Sequence, residues 1–273
     1  MIDDDRDVLD RVVGVWAGHH AAIARALRAV VGEVGVLVEP FVDGALVLTG
    51  PGRYVNAACG AGRVRPPTDD EWRHLVRCAD TIGVRPAIEV SDVSHPGTVE
   101  GAVDRGWTEG GRRRVFVRPL ADPGPTTTAG SVPRGQVREV AADRIVDWQA
   151  ASALGVGLVT DAERRVGDEW VAAAYAAGDR LFVAYLDDAP VGAATLHVRD
   201  GVATLGGMST APAARRRGVQ AHLIAVRLAA AVSAGCDLAA SNAVADDSAR
   251  NLLRAGFVEI GALTEMAPPP SDP

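Results

Sequence analysis

The chain has 273 residues and a mass of 28.3 kDa, and all 28 of its Lys+Arg positions are arginine. The missing lysine is first of all a mark of a GC-rich coding genome, and it excludes a lysine Schiff base or a P-loop lysine. Against 35 Asp+Glu the formal charge is -7, which argues against a nucleic-acid binder that tracks phosphates, and the hydrophobic share of 48% is that of a globular chain with a real core.

The start, Met1-Ile2-Asp3-Asp4-Asp5, is acidic and lacks a basic segment followed by an apolar one, so no secretory leader is expected. No uncharged apolar run reaches about 18 residues, so no membrane span is expected. Cys59, Cys78 and Cys236 lie far apart with no CxxC, which predicts neither a zinc ribbon nor a disulfide framework, and no metal. A cytoplasmic monomer or homodimer is the default. Trp72, Leu75, Val76, Ala79 and Ile82 form a helical stripe. Ile88–Trp107 reads as short strand, polar loop, short helix, then Gly-aromatic. Residues 121–135, rich in Pro, Gly and Thr, read as a linker between two halves. The expected domains are therefore 1–120 and 136–273. The final Pro268-Pro269-Pro270-Ser271-Asp272-Pro273 reads as an extended tail.

The second half is easier to follow. Val137–Ala141 is a short strand, and Asp143–Ala153 and Asp161–Ala177 are helices, the latter with Val166, Trp170, Ala173 and Ala177 on one face. Leu181–Leu186, Val191–Val198 and Val202–Thr210 are strands, with Asp200-Gly201 as a hairpin turn. A helix from about Arg217 to Ala234 is apolar nearly all round except Gln220, His222 and Arg227, so it is mostly buried. Strand Leu238–Asn242, helix Asp247–Arg254 and a strand from about Phe257 complete the order. Leu238–Phe257 aligns without a gap on Ile88–Trp107: Ser91 with Ser241, Gly106 with Gly256, and apolar Val99, Ala102, Val103 with Ala249, Leu252, Leu253. This predicts an internal duplication.

The segment Thr210-Ala211-Pro212-Ala213-Ala214-Arg215-Arg216-Arg217-Gly218-Val219-Gln220-Ala221 carries the chemistry. A strand ends, a proline turn follows, and three arginines and a glycine precede a buried helix. A helix start exposes unpaired N–H groups and a partial positive charge. Gly218 permits close approach of a phosphate, and arginines add forked donors. Three cations at the positive end of a helix call for a counter-anion.

That stretch resembles the acyl-CoA loop of the GNAT superfamily of N-acetyltransferases, with its signature Gln/Arg-x-x-Gly-x-Gly/Ala. Arg215 and Gly218 fit it; Gln220 stands at the second Gly/Ala place, followed by Ala221. Asn251-Leu252-Leu253-Arg254-Ala255-Gly256-Phe257 resembles the family's helix ending in Gly-Phe, and the order of elements over 136–266 is the GNAT order. The resemblance implies an α/β fold with an α+β mixed sheet: a GNAT fold in the C-terminal half and a degenerate GNAT-like half at the N-terminus, as in tandem members. The first half lacks the arginine loop; Pro51–Gly62 lies where one would stand and shows no pyrophosphate site.

The resemblance further implies acetyl-CoA as acyl-donor cosubstrate. Its pyrophosphate would sit on the amides of Arg217, Gly218, Val219, Gln220 and Ala221, with Arg215 or Arg216 nearby. The pantetheine would bond to the backbone of Met208, Ser209 and Thr210, at an edge that a bulge at Gly206-Gly207 leaves free. Asn251 and Ser248 would face the pantetheine or the sulfur, although Ser248 equally suits a helix cap with Asp246 and Asp247. The reaction that the resemblance implies is direct transfer to an amine of a small molecule. An alkylamine of pKa about 10.4 is only about 0.1% neutral near pH 7.4, a cost of roughly 4 kcal/mol, so a base or a desolvating pocket is needed.

Two usual catalysts of the family are missing. Leu252 stands where many members have a tyrosine acid, and Val202–Thr210 carries no carboxylate base. The catalytic residues are thus unassigned, with Glu169, Tyr175, Tyr185, His197, Ser209, Cys236 and Asp237 as candidates by elimination. Residues 136–273 hold 12 Arg and 17 Asp+Glu, which favours a cationic amine by steering. In tandem members the acceptor lies between the halves or beside the strand splay, which puts Tyr54, Glu89 and Asp92 forward as its lining. A protein or peptide acceptor, or a non-catalytic acyl-CoA-binding module, are the alternatives.

Overall fold

The computed structural model describes residues 3–32, 35–120 and 135–269. The expected linker lies outside them apart from Gly135, as does the proline-rich tail beyond Pro269. In chain order the elements are α1 (Asp3–Val31), β1 (Leu37–Phe41), β2 (Gly44–Leu48), β3 (Asn56–Cys59), α2 (Asp69–Ile82), β4 (Ile88–Ser91), α3 (Pro96–Asp104) and β5 (Thr108–Pro119), then β6 (Gly135–Val140), α4 (Ile145–Val156), α5 (Asp161–Ala176), β7 (Arg180–Leu186), β8 (Ala189–Arg199), β9 (Val202–Thr210), α6 (Val219–Ser233), β10 (Leu238–Ala243), α7 (Asp246–Arg254) and β11 (Val258–Ala267). They form the mixed α/β architecture expected.

The described residues of Met1–Val115 and Ile260–Pro273 make one compact unit, and those of Phe116–Glu259 the other. This differs from a division at the linker, and the reason is strand pairing. β11 runs antiparallel to β4, with Leu263↔Ser91, Thr264↔Val90, Glu265↔Glu89 and Met266↔Ile88. Met266 is buried with Leu46, Leu75, Ile88 and Trp107 in the core of the first unit. Conversely, Phe116 is buried with Ala239, Leu252 and Phe257 in the core of the second. Each unit thus takes its last strand segment from beyond the expected boundary.

In the first unit, α1 was not anticipated from the sequence. Its stripe of Leu9, Val12, Val13, Trp16, Ile23, Ala24 and Leu27 is buried at helical spacing. In the second unit the strand order is β10-β9-β8-β7-β6. Alternation on β7 sends Phe182, Ala184 and Leu186 into a core with Leu223 and Ile224 of α6. Leu181, Val183 and Tyr185 enter a second core with Trp148 and Ala151 of α4. Burying each such side chain contributes about 1.5–3 kcal/mol relative to exposure. On α5 the buried residues are Val171, Ala173 and Ala174, so the face is rotated from the expected stripe, of which Val166 and Trp170 are only half-buried.

The two repeat copies end alike. Gly106 and Gly256 both take left-handed backbone, with φ of 72° and 81°. Trp107 N–H donates to Ala102 O (3.0 Å) and Phe257 N–H to Leu252 O (3.1 Å), the same closure at the same offset. Val103 and Leu253 are both exposed, while Ala102 and Leu252 are both buried. Each copy is also preceded by a strand and a helix, and its first strand pairs parallel with that preceding strand, shown by Ala58↔Ile88 in one and Ala239↔Ala203 in the other.

Candidate functional site

β9 builds the site. Its parallel ladder with β10 runs Leu238↔Val202, Ala239↔Ala203 and Ala240↔Thr204. Next, Ser241 Oγ donates to Leu205 O at 2.8 Å, and no further ladder partner on β10 follows. On the other side, β8 pairs Thr195↔Gly206 and Ala193↔Ser209, so Gly207 and Met208 together oppose Ala194. This is a bulge at the expected glycine pair, with Gly207 at φ 54°. Ala194 O, lost to the ladder, accepts instead from Trp148 Nε1 of α4 at 2.9 Å.

α4 also touches the end of the strand. A Cβ on Gly155 would lie 2.7 Å from both Ser209 Cβ and the Thr210 nitrogen, so only glycine admits this approach. Ser209 itself is buried, and its Oγ has no hydrogen-bond partner. Of the catalytic candidates, Ser209 alone lies on this strand.

Beyond Thr210 the chain makes a 3-10 turn at Pro212–Ala214 and enters the arginines. Arg215 Nε donates to Thr210 O and Nη2 to Gly155 O, both at 3.4 Å. Arg216 and Arg217 are exposed. Arg216 has φ 61° and Gly218 φ 79°, with Arg217 between them on the other hand. Such alternation turns successive N–H groups to one side and makes an anion-binding concavity. A non-glycine residue in that region costs about 1 kcal/mol or more, a strain typical of functional loops. Gly218 is the N-cap of α6 and no side chain caps the helix. The first intrahelical bond is His222 N–H to Gly218 O, which leaves the N–H groups of Val219, Gln220 and Ala221 without helical acceptors.

The equivalent place in the first unit shows the contrast. There the Gly62, Arg63 and Val64 N–H groups donate to the Asp43 carboxylate at 2.5, 2.9 and 2.7 Å. α2 is closed by a capping box: Glu71 N–H to Thr68 Oγ1, and Thr68 N–H to the Glu71 carboxylate. Arg65 pairs with the same carboxylate at 2.7 Å. The hydrogen bond from Arg65 holds the Glu71 pKa down to about 2. One half fills its loop from within; the other leaves it open.

The remaining expected residues fall as follows. Val219 is buried in the core, while Ala221 is exposed at the helix start. Gln220 and Asn251 are brought together: Asn251 Nδ2 donates to Gln220 Oε1, joining α6 to α7. Ser248 is half-buried at the third position of α7, whose N-cap is Ala245, so it is not the cap. Leu252 is buried in the core. His197 Nδ1 is 3.0 Å from Asp179 Oδ1 in a buried pair. Tyr185 Oη donates to Asp147 Oδ2 at 2.6 Å; burial and that carboxylate raise the phenol pKa, and the bonds from Tyr185 and Arg144 lower that of Asp147. Cys236 is a buried core residue, Tyr175 packs beside the α4 core, Glu169 lies 4.0 Å from Arg165, and Asp237 is exposed at the foot of β10.

The expected acceptor residues all belong to the first unit. Glu89 is ion-paired with Arg113. Asp92 Oδ2 accepts from the Ala262 N–H at 3.0 Å. Tyr54 is exposed beside a surface cavity of about 400 Å³ shared with Arg53, Asn56, Arg85 and Glu265. Trp148, Gly155, Asp43 and Arg227 were not foreseen as site residues. The available signals were a tryptophan on the helix facing the strand, a glycine inside that helix, and an arginine inside an apolar one.

Among the described residues, no helix is long and apolar enough to cross a membrane. Residues 143–257 match the family model described as Acetyltransferase (GNAT) family. No curated protein matches the sequence. A GCN5-related N-acetyltransferase from Kribbella flavida shares the fold with a TM-score of 0.66 and 18% identity, over 94% of this chain and 97% of its own. A tandem GNAT protein from the clavulanic acid biosynthesis pathway, solved without AcCoA, gives 0.63 and 14% over 96% and 97%. At these identities the likeness is one of fold.

Proposed function

We propose that this chain, whose residues 143–257 match the acetyltransferase (GNAT) family model, is a GNAT-type enzyme that moves the acetyl group of acetyl-CoA to an amine of a small molecule by direct transfer. The observation that carries the reading is the uncapped start of α6, with its alternating backbone and three arginines, directly after a strand whose edge is free. Those donors fit a pyrophosphate. Acetyl-CoA supplies the activated acyl group and a thiolate that leaves readily.

The chain's residues divide the work. The N–H groups of Arg217, Gly218, Val219, Gln220 and Ala221 hold the pyrophosphate, with Arg215 and Arg216 adding charge. The backbone of Met208, Ser209 and Thr210 holds the pantetheine in the manner of an added strand. The Ser209 hydroxyl, buried without a partner, is a donor or acceptor awaiting one. Asn251 and Gln220 brace α7 against α6 through their hydrogen bond. A cationic amine suits an acceptor site on a half with 12 Arg against 17 Asp+Glu.

Buried Leu252, at the position where the resemblance expects an acid, favours a second reading, a non-catalytic acyl-CoA sensor. Thermal shift with acetyl-CoA, followed by thiol release over a panel of amines, separates the two. We expect stabilisation by acetyl-CoA, its loss in Gly218→Glu, and thiol release with at least one small amine. Binding with no release across the panel supports the sensor. A wild-type protein that acetyl-CoA does not stabilise overturns both.

A further inference from the structure

α6 contains one charged side chain that the apolar face of a helix has no ordinary reason to hold. Arg227 is fully buried and is the largest of the fully buried side chains among the described residues. Its Nε donates to Leu223 O at 3.0 Å. Nη1 donates to Thr195 O at 3.0 Å and to Gly206 O at 3.2 Å. Nη2 lies 3.0 Å from Met208 Sδ. These partners are three carbonyls and a thioether, all neutral. Burial pulls the guanidinium pKa down to about 9, and the group is still charged near pH 7.

A buried charge without a counter-charge is costly, and here only neutral hydrogen-bond acceptors offset that cost. Here the place matters. Thr195 and Gly206 are cross-strand partners at the foot of the bulge, and Met208 is in the bulge itself. The guanidinium therefore grips the strand where its two ladders part. The Gly206 carbonyl shares a peptide unit with the Gly207 N–H, and in a trans peptide the two point opposite ways. A charge-assisted hydrogen bond at the oxygen withdraws electron density from the unit and makes the N–H a stronger donor.

We propose that Arg227 is a positioning residue which fixes the β9 bulge and polarises the Gly206–Gly207 peptide, so that the Gly207 N–H is the hydrogen-bond donor to the carbonyl oxygen of the thioester. This rests on the acetyltransferase reading. In the transfer, the amine nitrogen bonds to the carbonyl carbon and the carbonyl electron pair moves to oxygen. When that pair returns, the C–S bond breaks, sulfur leaves as thiolate with its electrons, and the nitrogen loses its proton to water. The charge that appears transiently on oxygen is what the polarised N–H meets. Arg227 touches neither substrate; it acts through the peptide.

The test uses the full chain and [1-13C]acetyl-CoA. Difference infrared spectroscopy of the bound thioester is expected to show its carbonyl stretch lowered from the value in water. Arg227→Met should return the band toward that value with acetyl-CoA affinity changed less than about threefold. Arg227→Lys, which keeps the charge, should recover part of the shift. With the amine that wild type acetylates fastest, kcat is expected to fall about tenfold in Arg227→Met while KM for acetyl-CoA holds, a loss smaller than removal of a whole oxyanion donor. An unshifted band in wild type overturns the proposal without any variant. So does an Arg227→Met protein that folds with an unchanged band and kcat. If neither variant folds, Arg227 serves folding alone and the proposal fails. If wild type does not bind acetyl-CoA, the acetyltransferase reading itself has failed, and calorimetric titration of wild type separates that case from the others.

Discussion

Glu71 shows how one carboxylate can be made to serve two ends. It closes the capping box of α2 and pairs with Arg65, and the bond from Arg65 is the largest cause of its pKa falling to about 2 from the ordinary 4.5. A depressed carboxylate stabilises the fold fully above its unfolded pKa and loses that stabilisation as pH falls through the folded one. The wild-type melting temperature should therefore decline between about pH 4.5 and pH 2, and Glu71→Gln should start lower at neutral pH and decline less over that window. Melting curves from pH 7 to pH 2 for both proteins check this; parallel declines would remove Glu71 from the account. Such residues were legible only in part. Thr68 and Glu71 stand three apart before an apolar stripe, a pattern the sequence displays openly. Arg227 is different: its position in an apolar helix marks it as unusual, but the two strand carbonyls that it holds lie 21 and 32 residues away in sequence.

At the scale of elements, two helix starts at matching places in their units meet opposite fates. α6 begins uncapped behind three arginines, while the loop before α2 is filled by Asp43 and its helix by its own glutamate. The donors of the first unit's loop are thus already satisfied from within the chain. Asp43→Ala strips an acceptor from three backbone N–H groups and should cost about 2 kcal/mol in urea unfolding. It should leave stabilisation by acetyl-CoA unchanged, because Asp43 belongs to the first unit and the open loop to the second. A variant as stable as wild type would mean that water replaces the carboxylate at no cost. The open loop was readable from Arg215 to Ala221 because its chemistry is contiguous in the chain. The filled one was not, since Asp43 arrives from the β1–β2 turn, some 20 residues before the groups it binds. Long α1 was also missed, although its stripe has the spacing of a helix.

At the scale of the whole molecule, the sequence shows two halves and the fold shows two units, and they are not the same division. The linker composition of 121–135 draws the eye to a cut there, whereas hydrogen bonding assigns β11 to the first unit and the end of β5 to the second. Local patterns report a strand's existence; they do not report its neighbour, which is chosen by register and by which core its apolar face completes. The difference has a direct consequence for dissection. A fragment of residues 136–273 keeps the whole arginine loop but loses Phe116, a fully buried residue of that unit's core, and strands β11 away from β4 with Leu263 and Met266 uncovered. Losing a buried phenylalanine alone is worth about 3–5 kcal/mol, a large part of a domain's stability. The fragment should therefore be aggregation-prone or lack a cooperative melt, and acetyl-CoA should not rescue it. Adding the first half as a separate chain should restore a cooperative transition, because both displaced strands then regain their partners. Size-exclusion chromatography and thermal melts of the fragment, the two-chain mixture and the intact protein decide the matter: a fragment that is monomeric and melts cooperatively by itself would show that the second unit does not depend on strand segments from across the linker.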